Sequence, residues 1–293
     1  MKIFISLETG ILRSVKSWKG IVIVWLCSLL LVSLVAIPMK GALKSGLGNS
    51  MITEKLANGI NVEVFADLGT AFRSLFSYFS TGLFMVLFVG FLINSFLSGG
   101  LFDSLKGISG TFSPVKFFIA SAKNFWSFVI ISLIISLTVI LLAILIVVIP
   151  VSIVSHAESS SEGAALKTGI ILTSFFLLIL VLLLLVADYT RAWQVSHDKN
   201  ECFKALGFGF SQTFRTFFSS YPLMLILLVV QLLYGWLVLI VLPGIKPVTE
   251  GGIVLLFILS QFLFFIKILL KVWRYGSVTK MMELHFERLN RVV

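Results

Sequence analysis

Lys267, Lys271 and Arg274 fall at i, i+4 and i+7 near the end of the last long apolar stretch. On a helix that spacing makes one basic stripe, at the C-terminal end where cations suit the helix dipole. Asp188 closes an earlier stretch of uncharged residues running from Thr168 to Ala187, and Arg191 follows one turn later. An unpaired charge at the membrane centre costs about 2.5–3.5 kcal/mol and less toward the edge, so each of these groups gains from a partner or from water. Three chemistries fit. Asp188 approaches Lys267, Lys271 or Arg191 as an ion pair, with Tyr189 and Trp193 shielding the cluster; the stripe forms an anion-binding groove; or the basic side chains snorkel to lipid phosphates. Both stretches are expected to run outward to inward, which brings their ends to a similar depth. Asn94, Gln231 and Gln261 are the other polar residues inside apolar stretches. They suit interhelical hydrogen bonds, worth on the order of 1 kcal/mol each, or the lining of a substrate path.

Catalytic constellations are not found in the chain. It has no His-Glu-x-x-His, Gly-x-Ser-x-Gly or phosphate-cradling Gly-x-x-x-x-Gly-Lys-Ser/Thr motif, and no acidic pair inside an apolar stretch. His156, His197 and His285 lie in different polar segments, away from any ligand spacing. Cys27 lies in the first apolar stretch and Cys202 in a basic segment, which argues against a disulfide framework. Ser132, Ser136 and Ser174 read as hydroxyls bonded to a carbonyl one turn back rather than as nucleophiles. The expectation is a non-enzymatic protein with no catalytic, cofactor-binding or metal-binding residues.

The elements that carry these residues are membrane spans. Of 293 residues 58% are hydrophobic and 12% charged, whereas soluble domains average about 45–50% apolar and about 25% charged. A helix crosses the hydrocarbon core with about 20 apolar residues. Six runs qualify, at about 20–38, 79–97, 126–154, 169–187, 222–241 and 252–273. They predict an all-α polytopic membrane protein with a single transmembrane domain spanning 1–293, an external loop at 39–78 and a cytoplasmic tail at 275–293. The first run is expected to be a retained span rather than a signal peptide, because its basic leader is long and its apolar core exceeds the usual length. With the N-terminus inside, sixteen Lys and Arg fall in cytoplasmic segments against six outside. Trp18, Trp126, Trp193 and Trp273 all fall at the predicted cytoplasmic boundary, where an amphipathic ring is favoured. The net charge of +10 is therefore read as attraction to anionic headgroups and not as nucleic-acid binding.

Within the external loop two short helices are expected. One carries Met51, Ile52 and Leu56 after Ser50 with Gly59 as its stop; the other carries Leu68, Phe72, Leu75, Phe76 and Phe79 after an Asp67 cap. On the cytoplasmic side, 113–126 and 200–217 read as basic amphipathic helices leading into spans. Ser113 and Pro114 supply a cap and first-turn pair for one, Asn200 a cap for the other. The N-terminal segment, with Ile5, Ile11, Leu12, Val15 and Trp18, is a weaker version. The chain thus reads as three helix-plus-hairpin units, against the simpler account that any helix entering from the cytoplasm looks basic and aromatic.

Gly99-Gly100-Leu101-Phe102-Asp103, then Phe112-Ser113-Pro114 through Phe125-Trp126, and later Ala187-Asp188-Tyr189-Thr190-Arg191, resemble a group of bacterial multispan proteins. That group includes domains of unknown function and the membrane domain attached to some glycerophosphodiester phosphodiesterases. The resemblance covers most of the chain and implies a six-helix bacterial inner-membrane fold, and it carries over no catalytic residue; that both termini are cytoplasmic is expected from the Lys, Arg and Trp distribution. The expected function is an accessory or scaffold subunit contacting membrane lipids and a protein partner or a second copy. The alternative is the permease subunit of a transporter for a hydrophobic or lipid-like substrate, served by a separate ATPase.

Overall fold

The computed structural model describes residues 2–47, 69–106, 112–156, 162–197, 201–245 and 249–290. The described residues form helices and no strand. In chain order these are α1 (Lys2–Lys16), α2 (Trp18–Leu47), α3 (Gly69–Ser104), α4 (Pro114–Ala143, continuing to His156), α5 (Glu162–His197), α6 (Cys202–Arg215), α7 (Phe217–Gly244) and α8 (Glu250–Asn290). Six are long and apolar enough to cross a membrane, over Trp18–Gly41, Phe79–Ser104, Pro114–His156, Leu166–His197, Phe217–Leu242 and Gly251–His285. The protein is an all-helical multispan membrane protein.

Several boundaries differ from those read in the sequence. The loop expected at 39–78 begins and ends as helix, because α2 runs on to Leu47 and α3 starts at Gly69. The second expected short helix is therefore the start of α3. Met51, Ile52, Leu56, Gly59 and the Asp67 and Asn200 caps lie outside the described residues. Of the expected tail at 275–293, residues 275–290 are instead a continuation of α8, and Tyr275 to Thr279 are buried. Their small and hydroxylic side chains pack against α1 and do not need water. Ser113 stands at the N-cap of α4 with Pro114 following, but its hydroxyl makes no capping bond. Near its far end α4 passes through one π turn, Ile144–Val148, just before Pro150. Proline lacks the N–H that would bond one turn back and its ring crowds the carbonyl of Ile146, so a widened turn there relieves both.

The sequence reads as one domain, whereas the chain divides into two compact units, 23–94 and the remainder, 1–22 with 95–293. In the smaller, an added Cβ at Gly82 would lie 2.9 Å from Val35 and one at Gly90 3.3 Å from Leu31. The residue numbers run in opposite senses, so α2 and α3 pack antiparallel there through glycines.

In the larger unit the packing is concentrated at one end. The buried residues of α4, α5, α7 and α8 lie within 117–135, 181–195, 220–227 and 268–282, while no described side chain in 136–156, 166–180, 228–242 or 251–267 is buried. A soluble protein does not expose apolar surface on that scale; a lipid bilayer covers it. The packed end is held by small and hydroxylic residues, as expected where helices associate without a hydrophobic driving force between them. α1 buries Ser6, Gly10 and Ser14 against α8 and turns Phe4, Leu12 and Val15 outward. α6 buries Ala205, Leu206, Gly209, Gln212 and Thr213 and turns Phe203 and Phe214 outward.

These contacts repeat. An added Cβ at Gly10 of α1 would lie 2.7 Å from the Ser277 backbone nitrogen of α8. At Gly100 of α3 it would lie 2.7 Å from the Phe117 carbonyl oxygen of α4, and at Gly209 of α6 2.8 Å from the Val186 carbonyl oxygen of α5. Each entry helix thus rests on the second span of the preceding helix-plus-hairpin unit, and the first rests on the last, closing a cycle. The repetition resides in these close approaches rather than in residue identity. One member departs from the pattern: α1 and α6 are separated from their spans by single residues, Ser17 and Thr216, whereas the 113–126 segment is continuous with α4.

Arg13 locks the closing contact. Its guanidinium donates to both carboxylate oxygens of Glu283 in α8, at 2.9 and 2.8 Å, and to the Leu105 carbonyl oxygen at 3.1 Å. Lys280 lies 3.5 Å from the same carboxylate. Trp273, expected at the lipid boundary, donates its indole N–H to the Leu7 carbonyl oxygen at 2.9 Å and so also fastens α1 to α8. A bidentate charge-assisted pair in a partly buried setting contributes about 1.5–3 kcal/mol. Arg13→Met is therefore expected to speed thiol labelling of a cysteine placed at Ser14, on the face of α1 buried against α8, and Arg13→Lys to fall between. Labelling rates equal to the parent in both variants would show that the fork does not hold α1.

Candidate functional site

Residues from α4, α5 and α8 meet in a buried charge cluster at the packed end. α5 continues nine residues past Asp188 to His197, and α8 sixteen residues past Arg274 to Asn290, so the cluster lies inside both helices. Asp188 is fully buried. Arg274 lies against it, Nε to Oδ2 at 2.9 Å, an ion pair whose N–H is not aligned for a hydrogen bond. Arg191, one turn along α5, reaches the other oxygen at 3.5 Å and donates to the Ser132 hydroxyl of α4 at 2.9 Å. Tyr275 closes the cluster from α8: the Arg274 guanidinium lies 5.2 Å and the Lys271 ammonium 5.7 Å from its ring centre. Phe102 of α3 stacks on Tyr275 at 4.5 Å, and Phe128 of α4 meets Phe102 edge-on at 6.1 Å. Aromatic walls exclude water, which strengthens the attraction between the charges inside and raises the cost of leaving one unpaired.

The residues singled out in the sequence are only partly brought together. Asp188 and Arg191 pair as expected, and Lys271 borders the site through Tyr275. Lys267, offered as a partner of Asp188, is exposed on α8. A helix rises 1.5 Å per residue, so Lys267 sits about 10 Å short of Arg274, and it is Arg274 that reaches the carboxylate. Tyr189 does not shield the cluster; it is turned toward α7, where its hydroxyl meets Ser220 at 2.5 Å. Trp193 stacks on His197 at 4.2 Å and on Phe208 of α6 at 5.7 Å. Ser174 bonds the carbonyl of Ile170 at 2.8 Å as expected, but Ser132 accepts from Arg191 instead. Arg274, Ser132 and Tyr275 are the members the sequence did not single out for the site. The only signal was that Arg274 completes the stripe of Lys267 and Lys271.

Of the three polar candidates, Gln231 of α7 donates to the Leu270 carbonyl oxygen of α8 at 3.3 Å, an interhelical bond of the expected kind. Tyr234 adds a second, to the Leu263 carbonyl oxygen at 2.5 Å. Gln261 is half-buried and Asn94 exposed. Among the described residues no three His, Cys, Asp or Glu side chains come together in a group able to hold a metal ion.

Compared with protein-family models, curated proteins and solved structures, the chain matches none. Function is therefore argued from this site and from the surface around it.

Proposed function

We propose that the chain is a non-enzymatic accessory or scaffold protein of a bacterial inner membrane, with both termini cytoplasmic, that binds anionic lipid and holds a protein partner at its packed end. The observation that carries this reading is the direction in which the entry helices face. They bury mostly small and hydroxylic residues together with Phe117 and Leu206, and leave most of their large aromatics outward, Phe203 at 73% and Trp126 at 72% exposure among them. Lys116, Lys123 and Lys204 are exposed on the same helices. Aromatic and lysine side chains side by side suit the headgroup layer, where the ring sits at the interface and the ammonium meets phosphate. The charge cluster supports a structural role, since its acid is fully buried and held by two arginines. The resemblance to bacterial multispan membrane domains belongs to the same reading.

The unpacked halves of α4, α5, α7 and α8 favour a second reading, a permease subunit whose lipid-like substrate enters between splayed helices. Affinity purification from native membranes in a mild detergent separates the two. A scaffold brings a membrane partner at fixed stoichiometry, and replacing Phe203, Phe214 and Trp126 by serine releases that partner while the protein still inserts. Stoichiometric recovery of an ATPase whose turnover depends on the chain would replace the scaffold reading by the permease.

A further inference from the structure

The face of α8 that carries Lys267 and Arg274 can be followed back at helical spacing through Phe264, Ser260 and Phe257 to Ile253. Arg274 turns this face onto Asp188 of α5, where it is buried. Two turns back it is open: Lys267 is exposed, and Ile253 and Phe257 are more than half exposed. The face of α5 that leads to Asp188 opens in the same direction, with Ile170 and Leu177 more than half exposed and Ser174 exposed between them. The two helices thus meet at the charge cluster and leave these surfaces uncovered beyond it. The Ser174 and Ser260 hydroxyls return to carbonyls of their own helices, Ile170 and Phe257, at 2.8 and 2.7 Å. Lys267 is then the one charge on an apolar wall.

The depth of that charge is set by α7. Hydrogen bonds from Tyr234 to the Leu263 carbonyl oxygen and from Gln231 to the Leu270 carbonyl oxygen bracket Lys267. α7 has no charged residue from Phe217 to Gly244, so about 20 Å of uncharged helix lies on the packed side of this level and about 15 Å on the other. A hydrocarbon core is about 30 Å thick, which puts Lys267 well inside it. Helix side chains lean toward the N-terminus of their helix, so Lys267 leans away from the packed end, and α8 begins about 25 Å away at Glu250. Lys267 forms no ion pair with any described residue. A cation held in hydrocarbon gains from a carboxylate at its own depth. A second copy offers none: the six apolar runs contain no acidic residue, and Asp188, which follows the fourth, is buried against two arginines. We propose that the open face of α8 seats a transmembrane helix of a different protein that carries one aspartate or glutamate midway along its span. Lys267 pairs with that carboxylate, and Ile253 and Phe257 pack against its apolar residues. This contact lies in the unpacked half and does not rest on the partner held at the packed end.

The test uses the full chain with the photoreactive residue benzoylphenylalanine in place of Phe257, in phosphatidylcholine nanodiscs that also hold a single-span leucine–alanine peptide. The peptide carries aspartate, leucine or lysine at its centre. The aspartate peptide is expected to crosslink about tenfold more than the leucine peptide. Lys267→Met should abolish the difference while melting as the parent does, which shows that it folds, and Lys267→Asp should turn the preference to the lysine peptide. Equal crosslinking of the aspartate and leucine peptides, or a preference that survives Lys267→Met, would overturn the site. Loss of the preference in discs of equimolar phosphatidylcholine and phosphatidylglycerol would make the anion a lipid headgroup and overturn the helix as its source. Replacing Phe203, Phe214 and Trp126 by serine should leave the crosslinking unchanged, so the contact at the packed end and this one fail separately.

Discussion

Asp188→Asn is expected to be the most destabilising single substitution in the charge cluster, with Arg274→Met next and Arg191→Met last. Removing one partner of a buried ion pair costs about 3–5 kcal/mol, because the survivor is left as an uncompensated charge. Asp188→Asn orphans two guanidinium groups at once and belongs at the top of that range. Arg274→Met leaves Asp188 with Arg191, at 3.5 Å rather than 2.9 Å, and belongs at the bottom. Arg191→Met leaves the shorter contact intact and removes a side chain that is 13% exposed; losing it costs about 1–2 kcal/mol. Lys267→Met, which the sequence alone would have placed with the first group, should change little. The double variant Asp188→Asn with Arg274→Met should be less destabilised than the sum of the two single changes, since neither buried partner is then orphaned by the other. Equilibrium unfolding in mixed micelles of increasing sodium dodecyl sulfate fraction measures all five. Strict additivity in the double variant would sink the direct pair, because uncoupled sites add to within about 0.5 kcal/mol.

Gly209→Ala and Gly207→Ala lie two residues apart on α6 and are expected to act in opposite directions. A Cβ at Gly209 would meet the Val186 carbonyl oxygen at 2.8 Å, the Thr190 Cβ at 3.2 Å and, closer still, the Thr190 hydroxyl. The nearest backbone atom cannot rotate away, so α6 must lift from α5. Overpacking of this kind costs about 1–3 kcal/mol. A Cβ at Gly207 would meet nothing within 4 Å. There the substitution only removes chain entropy from the unfolded state and improves the helix, a gain of about 0.4–1 kcal/mol. The same unfolding titration reads both signs. If Gly209→Ala proved neutral, α6 would not rest on α5 at this point, and one of the three repeated contacts would be lost.

The same argument extends around the cycle. Gly10→Ala and Gly100→Ala meet backbone atoms at 2.7 Å, so the three glycines are equivalent in mechanism although their surroundings share little beyond a following apolar residue and a Ser or Thr four positions on. This explains why the repeat was hard to read: what is repeated is a close approach of two helices, and a close approach constrains only the smallest residues at its centre. Aromatic spacing was the visible pattern, and most of those aromatics, Phe117 apart, lie on the outward, less constrained face.

The sequence by itself determined the class of the protein and the number of its spans. Hydrocarbon thickness sets the length of an apolar run and the backbone's need for internal hydrogen bonds makes that run a helix, so both follow from composition along the chain. It also singled out Asp188 and the basic stripe, which it put at helix ends although both helices run on past them, and left Gln231 open between an interhelical bond and a substrate path. Tertiary structure alone decided which cation meets Asp188. Lys267, Lys271 and Arg274 share a helix face and differ only in height, and the height of α8 against α5 is set by the packing of those two helices on each other. It decided likewise that 275–282 is packed helix and not a tail. Small and hydroxylic residues look polar in sequence, yet between membrane helices they permit the closest packing, and nothing local distinguishes a glycine with open space around it, such as Gly207, from one that carries a neighbouring backbone, such as Gly209.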